Sequence, residues 1–401
     1  MRKTLALLMG LLMIVSCSKK APLQRGQWDE KVYSTLNELI LTYGSKGKAY
    51  DPSKKAYAVF DYDNTTIMND VELSMMTYLF DNLKFKVDPE KVFEALTCVV
   101  PDLDKPLKFE GKEAFTSRDI AEDLASDYKF LCAKGFQNGS FRSTDEFKDF
   151  RAKMFAYYNS LSNTFDYAVA LLMVTSMLDG MTAEDVDALT RESFTYAMAE
   201  DKMYAEIWES PEMGKAGKVK VHVTRGMTLT PEMIDLYKTL EANGIDVYIC
   251  SASHEFVVEA MACDPAIPLG MDKDRVFGIR VLPSSEGGWA TEYVPGYKQT
   301  YQRGKVEAIR EYIAPLYGGQ DPVLVAGDSS GDYNMLTELP GLKVGLIVNC
   351  MRGGKINDLM TEAVADESKG LSGRTSPLYV VQGRNAALKS FIPSWDSVPV
   401  I

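Results

Sequence analysis

Residues 59–66 have the sequence Val-Phe-Asp-Tyr-Asp-Asn-Thr-Thr and follow the mostly apolar residues 56–58. A short apolar run that stops at an acid is typical of a buried strand in a parallel sheet. Asp61 and Asp63 stand two positions apart, so in an extended backbone both carboxylates face the same way. Two such anions share one site only if a proton or a cation lies between them. A magnesium ion, which prefers oxygen ligands, meets that need.

The rest of the chain contains further runs of strand length. Besides Ala56–Phe60, strands are predicted at Val247–Cys250, Val276–Val281, Val323–Ala326, Val344–Val348 and Leu378–Val381. Helical patterns lie between several of them, and one is predicted to begin at Pro231 and to stop near Asn243. Strands that alternate with helices predict an α/β fold, in which helices cover both faces of a parallel sheet.

The segment from residue 71 to 224 has a different pattern, that of amphipathic helices. They are predicted at Glu72–Leu83, Ser117–Ala133, Thr144–Ser160, Phe165–Leu178 and Ala183–Ala199. Few strand patterns occur here, so an all-helical insert is expected directly after the first strand. Ligands bind at the carboxyl ends of parallel strands, and the insert would therefore cover the site as a cap. The core would comprise residues 51–70 and 225–401.

The N-terminus resembles the signal segment of a bacterial lipoprotein. The apolar run Leu5–Val15 suits a signal peptide but is too short to span a bilayer. Residues 1–16 would be removed, and Cys17 would become the lipidated first residue, anchoring the protein to a membrane. Residues 17–50 would form a tether with an accessory helix. A lipid anchor predicts a place in the bacterial cell envelope, on the periplasmic side or the cell surface; a plain secretory signal is the alternative.

The composition limits the classes of function. With 46% hydrophobic and 25% charged residues, the 401-residue chain is typical of a globular protein. Its formal net charge of −12 repels nucleic acid, so no nucleic-acid partner is expected. The sequence has six cysteines without a C-x-x-C pair and two histidines, which argues against a zinc site.

Four motifs occur in order along the chain. In the first, residues 61–65 match D-x-D-x-T, and in the second, Ser251 follows a predicted strand. In the third, Lys305 follows a glycine and opens a helix. In the fourth, residues 327–332 have the sequence Gly-Asp-Ser-Ser-Gly-Asp and follow another predicted strand. Each motif alone has an ordinary interpretation, such as a turn, a calcium loop, a helix cap or a solvated lysine. Together and in this order, they resemble the haloacid dehalogenase superfamily.

That resemblance covers residues 55–70 and 225–350 by motif, and the insert by position only. It implies a Rossmann-like α/β core, a cap inserted after the first strand, Mg²⁺ as cofactor and hydrolysis of a small phosphate ester. An acid at position 63 is shared by the phosphatases and phosphomutases of the superfamily, whereas dehalogenases lack it and ion-pumping ATPases carry threonine there. The secretion signal favours a phosphatase.

The resemblance also implies a role for each motif residue. Asp61 would attack phosphorus and form an aspartyl-phosphate, and Asp63 would act as general acid and then as general base. Ser251 would bind a phosphoryl oxygen, while Lys305 would balance charge. Asp328 would bind Mg²⁺ together with Asp61 and the backbone carbonyl of Asp63.

Two further motif residues, Thr65 and Asp332, would orient these ligands or a metal-bound water. The fourth motif departs from the common G-D-G-x-N-D form, because Ser329 replaces glycine and Gly331 replaces asparagine. The predicted metal ligand Asp328 is retained, but this departure leaves open which groups form the hydrogen bonds around it.

Within the superfamily, residues 61–72 and Ser-Ala-Ser at 251–253 look most like phosphoserine phosphatases and secreted phosphorylcholine phosphatases. Those substrates carry a cationic nitrogen. Asp70 and Glu72 would pair with it, Tyr62 would offer a cation–π face, and His254 would line the site. The alternative for the two acids is a favourable charge at a helix N-terminus.

Three other functions remain open at this stage. One is a secreted acid phosphatase of broad range that includes nucleotides, although such enzymes usually carry glutamate where this chain has Asn64. Another is a phosphotransferase that passes phosphate to an alcohol. The third is a surface lipoprotein that binds a ligand without turnover, which the retention of all four motifs argues against.

Overall fold

The computed structural model describes residues 22–135, 137–212, 214–285, 287–368 and 370–400. The predicted signal segment, residues 1–16, and the predicted lipidation site Cys17 lie outside the described residues. Among the described residues, the helices are all too short or too polar to span a bilayer.

Six parallel strands form the central sheet. They are β1 (Tyr57–Phe60), β6 (Asp246–His254), β7 (Val276–Ile279), β10 (Leu324–Gly327), β11 (Val344–Val348) and β12 (Leu378–Gln382). Their order is β12-β11-β10-β1-β6-β7, and neighbouring strands are parallel throughout. All six strands predicted from the sequence are present, which confirms the α/β fold class.

Helices and short hairpins surround this sheet. The core helices are α1 (Glu30–Tyr43), α8 (Pro231–Ala242), α9 (Glu255–Ala262), α10 (Arg303–Ala308), α11 (Tyr333–Thr337) and α12 (Lys355–Ala365). Two small antiparallel pairs complete the core, formed by β8 (Val281–Pro283) with β9 (Trp289–Tyr293) and by β13 (Arg384–Asn385) with β14 (Ser390–Phe391). Helix α8 begins and ends as predicted, since the Thr230 hydroxyl caps its start and Gly244 adopts a left-handed φ of 77° beyond its end.

The insert between β1 and α8 consists mainly of helices. These are α2 (Val71–Asn82), α3 (Val92–Thr97), α4 (Ser117–Lys134), α5 (Asp145–Thr164), α6 (Tyr167–Ser176) and α7 (Ala183–Ala199). The expectation that it is all-helical is wrong, because it also holds two hairpins, β2 (Pro106–Phe109) with β3 (Lys112–Thr116) and β4 (Tyr204–Glu209) with β5 (Lys220–Arg225). The first turns through Glu110 and Gly111, both at positive φ, as a two-residue hairpin requires. In β5, buried and exposed residues alternate strictly, a period of two that marks a strand.

Helix α1 packs on the sheet beside β11 and β12. Its apolar face, with Val32, Leu36 and Leu39, is fully buried, and the Trp28 ring lies 5.3 Å from that of Phe391. Helix α1, in the described part of the predicted tether segment, therefore contributes its apolar face to the hydrophobic core.

A buried cluster of charges joins α4 and α5 inside the insert. Lys153, which is inaccessible to solvent, donates to Asp123 at 2.9 Å and to Asp149 at 2.7 Å. Asp127 stands beside them, and burial first, then the charge of Asp149, raises the pKa of Asp127 to about 9. Within the described residues, neither Asp127 Oδ2 nor Asp149 Oδ1 meets a donor. A proton shared by the two carboxyl groups resolves this arrangement.

We expect Asp127→Asn to stabilise the protein at alkaline pH. Asp127 has a raised pKa when folded and an ordinary one near 3.9 when unfolded, so its stabilising contribution is present at low pH and is lost as pH rises through this window. Each pH unit within the window costs at most about 1.4 kcal/mol. An asparagine amide donates to Asp149 without needing that proton, so the melting temperature at pH 8 should rise above that of the wild type.

Melting curves between pH 5 and pH 8.5 provide the measurement. The gain from Asp127→Asn should shrink toward pH 5, while the control Asp201→Asn, at an exposed position of the insert, should leave the pH dependence unchanged. Parallel curves for wild type and Asp127→Asn would show that no proton is held there.

Candidate active site

A cavity of about 260 Å³ lies at the carboxyl ends of β1, β6 and β10. Its wall holds five acids, two cations and two tyrosines, namely Asp61, Asp63, Asp70, Asp328, Asp332, Lys305, Arg352, Tyr167 and Tyr301. The three strands are neighbours in the sheet, which is why motifs far apart in sequence meet here. Tyr167 and Asp70 belong to the insert side, so the insert forms part of the cavity wall.

The loop after β1 fixes the position of Asp61. Its backbone N–H donates to Ala326 O at 2.9 Å, which continues the ladder between β1 and β10 by one residue. The hydroxyl of Thr66 donates to Asp61 O at 2.7 Å, and that of Thr65 donates to Asp61 Oδ2 at 3.2 Å. Asp61, the predicted nucleophile, is thus held by hydrogen bonds to both its backbone and its carboxylate.

Asn64 makes the sharp turn of this loop, with a left-handed φ of 59°. Asparagine tolerates that conformation better than most residues. The guanidinium of Arg384, in β13, donates to Asn64 Oδ1 at 3.1 Å and to Asn64 O at 3.4 Å. A strand near the C-terminus therefore supports the strained residue of the loop.

Lys305 lies between two carboxylates. Its Nζ is 2.5 Å from Asp61 Oδ1 and 2.6 Å from Asp332 Oδ1, and its side chain is 2% exposed. The other oxygen of Asp332 accepts from the backbone N–H groups of Asp328 and Ser329, both at 3.1 Å. Asp332 thereby orders the loop that carries Asp328, as well as the lysine.

The unusual residues of the fourth motif have a place in this network. The hydroxyl of Ser329 donates to Asp332 Oδ2 at 3.1 Å and accepts from the backbone N–H of Gly331 at 3.2 Å. At Gly327, a Cβ atom would come within 2.5 Å of the Asp332 side chain, so only glycine fits there. The hydrogen bonds that the sequence left open are thus supplied by Ser329.

Three carboxylates in this cavity suit a metal ion. Oxygens of Asp61, Asp328 and Asp332 lie within 4.8 Å of one another, and all three residues are buried. Burial first, and then the charge of Asp332, raises the pKa of Asp61 to about 8. Burial also raises the pKa of Asp328. The donors are all oxygens and their negative charges repel one another, so they suit a hard divalent cation. Such a cation would stabilise the ionised form of the carboxyl groups.

Asp63 has hydrogen bonds to both of its carboxyl oxygens. The Val71 N–H donates to Oδ1 at 2.7 Å, and the Ser253 hydroxyl donates to Oδ2 at 2.6 Å. Burial first, then the charge of Asp70, raises the pKa of Asp63 well above its usual value. A carboxyl group with a raised pKa is suited to protonate a leaving alkoxide.

Ser251, the predicted phosphoryl ligand, is fully buried and lies behind the wall rather than in it. Its hydroxyl is 3.4 Å from Asp63 Oδ2 and accepts from the Ser253 N–H at 3.2 Å. Ser253 lines the cavity instead. Ser253 was not predicted as a site residue, although its place two residues after Ser251 on the same strand end was a usable indication.

Arg352 is a second residue that the sequence analysis did not identify. It follows β11, lines the cavity, and its Nε donates to Asp328 Oδ2 at 2.7 Å. The side chain is 48% exposed, so part of the guanidinium faces the open cavity. Loops that follow neighbouring parallel strands meet at one edge of the sheet, so the position of Arg352 after a predicted strand would have indicated that it lies near the site.

The four residues predicted to contact substrate lie in different places. Asp70 lines the cavity, and burial raises its pKa to about 6. Tyr62 is fully buried, outside the wall, and its hydroxyl has no partner among the described residues. Glu72 and His254 are also buried outside the wall, where Glu72 Oε1 lies 2.9 Å from His254 Nδ1.

Comparison with known proteins points to one family. A family model described as haloacid dehalogenase-like hydrolase matches residues 168–337. The chain is 22% identical over 345 residues to the phosphorylcholine phosphatase of Pseudomonas aeruginosa PAO1, an alignment that covers 80% of each protein.

A solved structure from Anaerococcus prevotii DSM 20548, of a conserved protein of unknown function, is also similar. It superposes with a TM-score of 0.81 at 30% identity, covering 94% of this chain and 98% of the other. The match therefore extends over the insert as well as the core. The chain belongs to the haloacid dehalogenase superfamily and is a phosphatase of that superfamily.

Proposed function

We propose that the protein is a Mg²⁺-dependent phosphomonoesterase that acts on a small ester with a cationic nitrogen, of the phosphocholine or phosphoserine type. The convergence of Asp61, Lys305 and Asp328 in one cavity with Asp70 and two tyrosines is the observation that carries this proposal. The similarity to a phosphorylcholine phosphatase supports it. The predicted lipid anchor at Cys17 would place the reaction in the cell envelope.

In the first half of the reaction, a carboxylate oxygen of Asp61 attacks phosphorus and the bond to the ester oxygen breaks. Asp63 gives its proton to the leaving alkoxide oxygen, which departs as a neutral hydroxyl group. Lys305, 2.5 Å from Asp61, stabilises negative charge on the nucleophile and on the group in transfer. Mg²⁺, held by Asp61 and Asp328, would neutralise further charge on the phosphoryl group.

In the second half, water attacks the aspartyl-phosphate. Asp63, now ionised, takes the proton from that water, and the acyl-phosphate bond breaks to give inorganic phosphate and the Asp61 carboxylate. The hydrogen bonds from Val71 and Ser253 remain in place in both halves, because they need only acceptor oxygens on Asp63.

The cavity wall also has groups that suit a cation. Asp70 contributes a carboxyl group, and the rings of Tyr167 and Tyr301 lie 6.4 Å apart. Aromatic faces next to a carboxylate bind ammonium groups by cation–π and ionic attraction. Arg352 adds a positive charge that would pair with a substrate carboxylate, and this observation favours a phosphoserine-like ester as the second candidate.

Release of inorganic phosphate from phosphocholine, O-phosphoserine and a nucleoside monophosphate tests the proposed reaction. Asp61→Asn should lower turnover of the preferred ester by more than about 1,000-fold, because the variant lacks the nucleophile. Its melting temperature should stay close to that of the wild type. Equal turnover of all three esters would instead indicate a phosphatase of broad range, and appreciable activity of Asp61→Asn would exclude the covalent route.

Removal of divalent ions tests the metal site. EDTA should abolish activity and added Mg²⁺ should restore it, since Asp61 and Asp328 hold the ion together. Asp328→Asn should raise the Mg²⁺ concentration for half-maximal activity by about 10-fold or more, as one anionic ligand is lost. Activity that persists in EDTA would rule out the metal.

Asp70→Asn tests recognition of the cationic nitrogen. Asp70 also caps α2 by accepting from the Leu73 N–H at 2.9 Å, and asparagine preserves that cap. Loss of the negative charge should raise the KM for phosphocholine by about 10-fold, equivalent to roughly 1.4 kcal/mol. Stability should not fall, because the helix cap is preserved. The KM for p-nitrophenyl phosphate, which has no cation, should not change; a parallel rise for both esters would argue against this role.

A further inference from the structure

His254 joins two helices of the insert to the end of β6. Its Nδ1 lies 2.9 Å from Glu72 Oε1, and its backbone N–H donates to Glu72 Oε2 at 3.0 Å. Its Nε2 lies 2.9 Å from the hydroxyl oxygen of Thr175. Glu72 belongs to α2 and Thr175 to α6, and all three residues are at most 1% exposed. Both oxygens of Glu72 are therefore engaged by one residue of the core.

All the polar atoms of His254 at this contact have partners. The Glu72 carboxylate accepts from the backbone N–H of His254 and lies within hydrogen-bonding distance of Nδ1, while the Thr175 hydroxyl lies within hydrogen-bonding distance of Nε2. Displacement of Glu72 or His254 would leave these buried polar atoms without partners, which costs free energy. The contact therefore has a well-defined geometry.

The residues next to this pair both donate to Asp63. Val71, which precedes Glu72, donates its N–H to Asp63 Oδ1 at 2.7 Å. Ser253, which precedes His254, donates its hydroxyl to Asp63 Oδ2 at 2.6 Å. The Glu72–His254 contact thus holds together the two chain segments that grip the general acid from either side.

We propose that Glu72 and His254 are positioning residues for Asp63, anchored to the insert through Thr175. The pair lies outside the cavity wall and acts by keeping the Val71 and Ser253 donors at hydrogen-bonding distance from the Asp63 carboxyl group. This inference rests on the proposed phosphatase reaction, in which Asp63 protonates the leaving alkoxide. It gives Glu72 and His254 a role other than contact with the substrate.

The leaving group of the ester provides the test. An alkoxide needs a proton as it departs, whereas p-nitrophenolate leaves without one. In Glu72→Gln and His254→Gln, the first-turnover rate with the preferred alkyl ester, phosphocholine or O-phosphoserine, should fall by about 10- to 100-fold, within the range of general acid catalysis. The rate of the first turnover with p-nitrophenyl phosphate should change by less than about 3-fold, and KM for the alkyl ester should stay similar.

Two variants serve as references. Asp63→Asn should show the same dependence on the leaving group in a stronger form. Thr190→Val removes another buried hydroxyl of the insert, one that donates within α7 to Val186 O at 2.7 Å, and it should leave both esters unaffected. If a single variant fails to fold, the double variant Glu72→Gln/His254→Gln, which replaces both partners of the contact together, takes its place.

Equal losses with both esters, or no loss with the alkyl ester, would overturn the positioning role. A wild type that hydrolyses neither ester would contradict the phosphatase proposal, and this inference with it. A wild type that hydrolyses both, while the variants lack the dependence on the leaving group, would contradict the positioning role alone.

Discussion

The contact of Lys305 with Asp61 and Asp332 is the interaction on which the site depends. Three buried carboxylates at one edge of a sheet repel each other strongly, because little water screens them. One ammonium group between two of them removes part of that repulsion and fixes their directions. Burial first, and then the charge of Asp332, raises the pKa of Asp61, and burial also raises that of Asp328. A divalent cation at this cluster would offset the negative charge that remains.

The insert and the core share this site in a specific way. The core supplies Asp61, Ser253 and Asp328 at the ends of β1, β6 and β10, and Lys305 from α10. The insert supplies Tyr167, and Asp70 caps the first helix of the insert, α2. Both parts of the chain therefore line the cavity, and the Glu72–His254 contact joins them.

Much of this arrangement could be predicted from the sequence. The six strands follow from apolar runs, and the carboxyl ends of parallel strands lie at one edge of the sheet, so Asp61 and Asp328 could be placed together. Lys305, which opens a helix, was assigned to the site by the family resemblance. Contacts between distant segments could not be derived in the same way. The pairing of Glu72 with His254 depends on how α2 packs against β6, and local sequence carries no information on that distance. For that reason, Glu72 was expected to pair with the cationic nitrogen of the substrate, and His254 was expected to line the site. The hairpins of the insert were missed because their strands are partly exposed, so they lack the continuous apolar runs that mark the strands of the central sheet.

The support of Asn64 by Arg384 has a consequence for the order of events during synthesis. The turn that presents Asp61 lies in the first fifth of the chain, whereas the guanidinium that braces it lies 320 residues later. A nascent polypeptide released from the ribosome only as far as β12 already has all six strands of the sheet, yet its nucleophile loop lacks this brace. The hydrogen bonds that support this loop can therefore form only when the chain is almost finished, after every strand of the sheet has been synthesised.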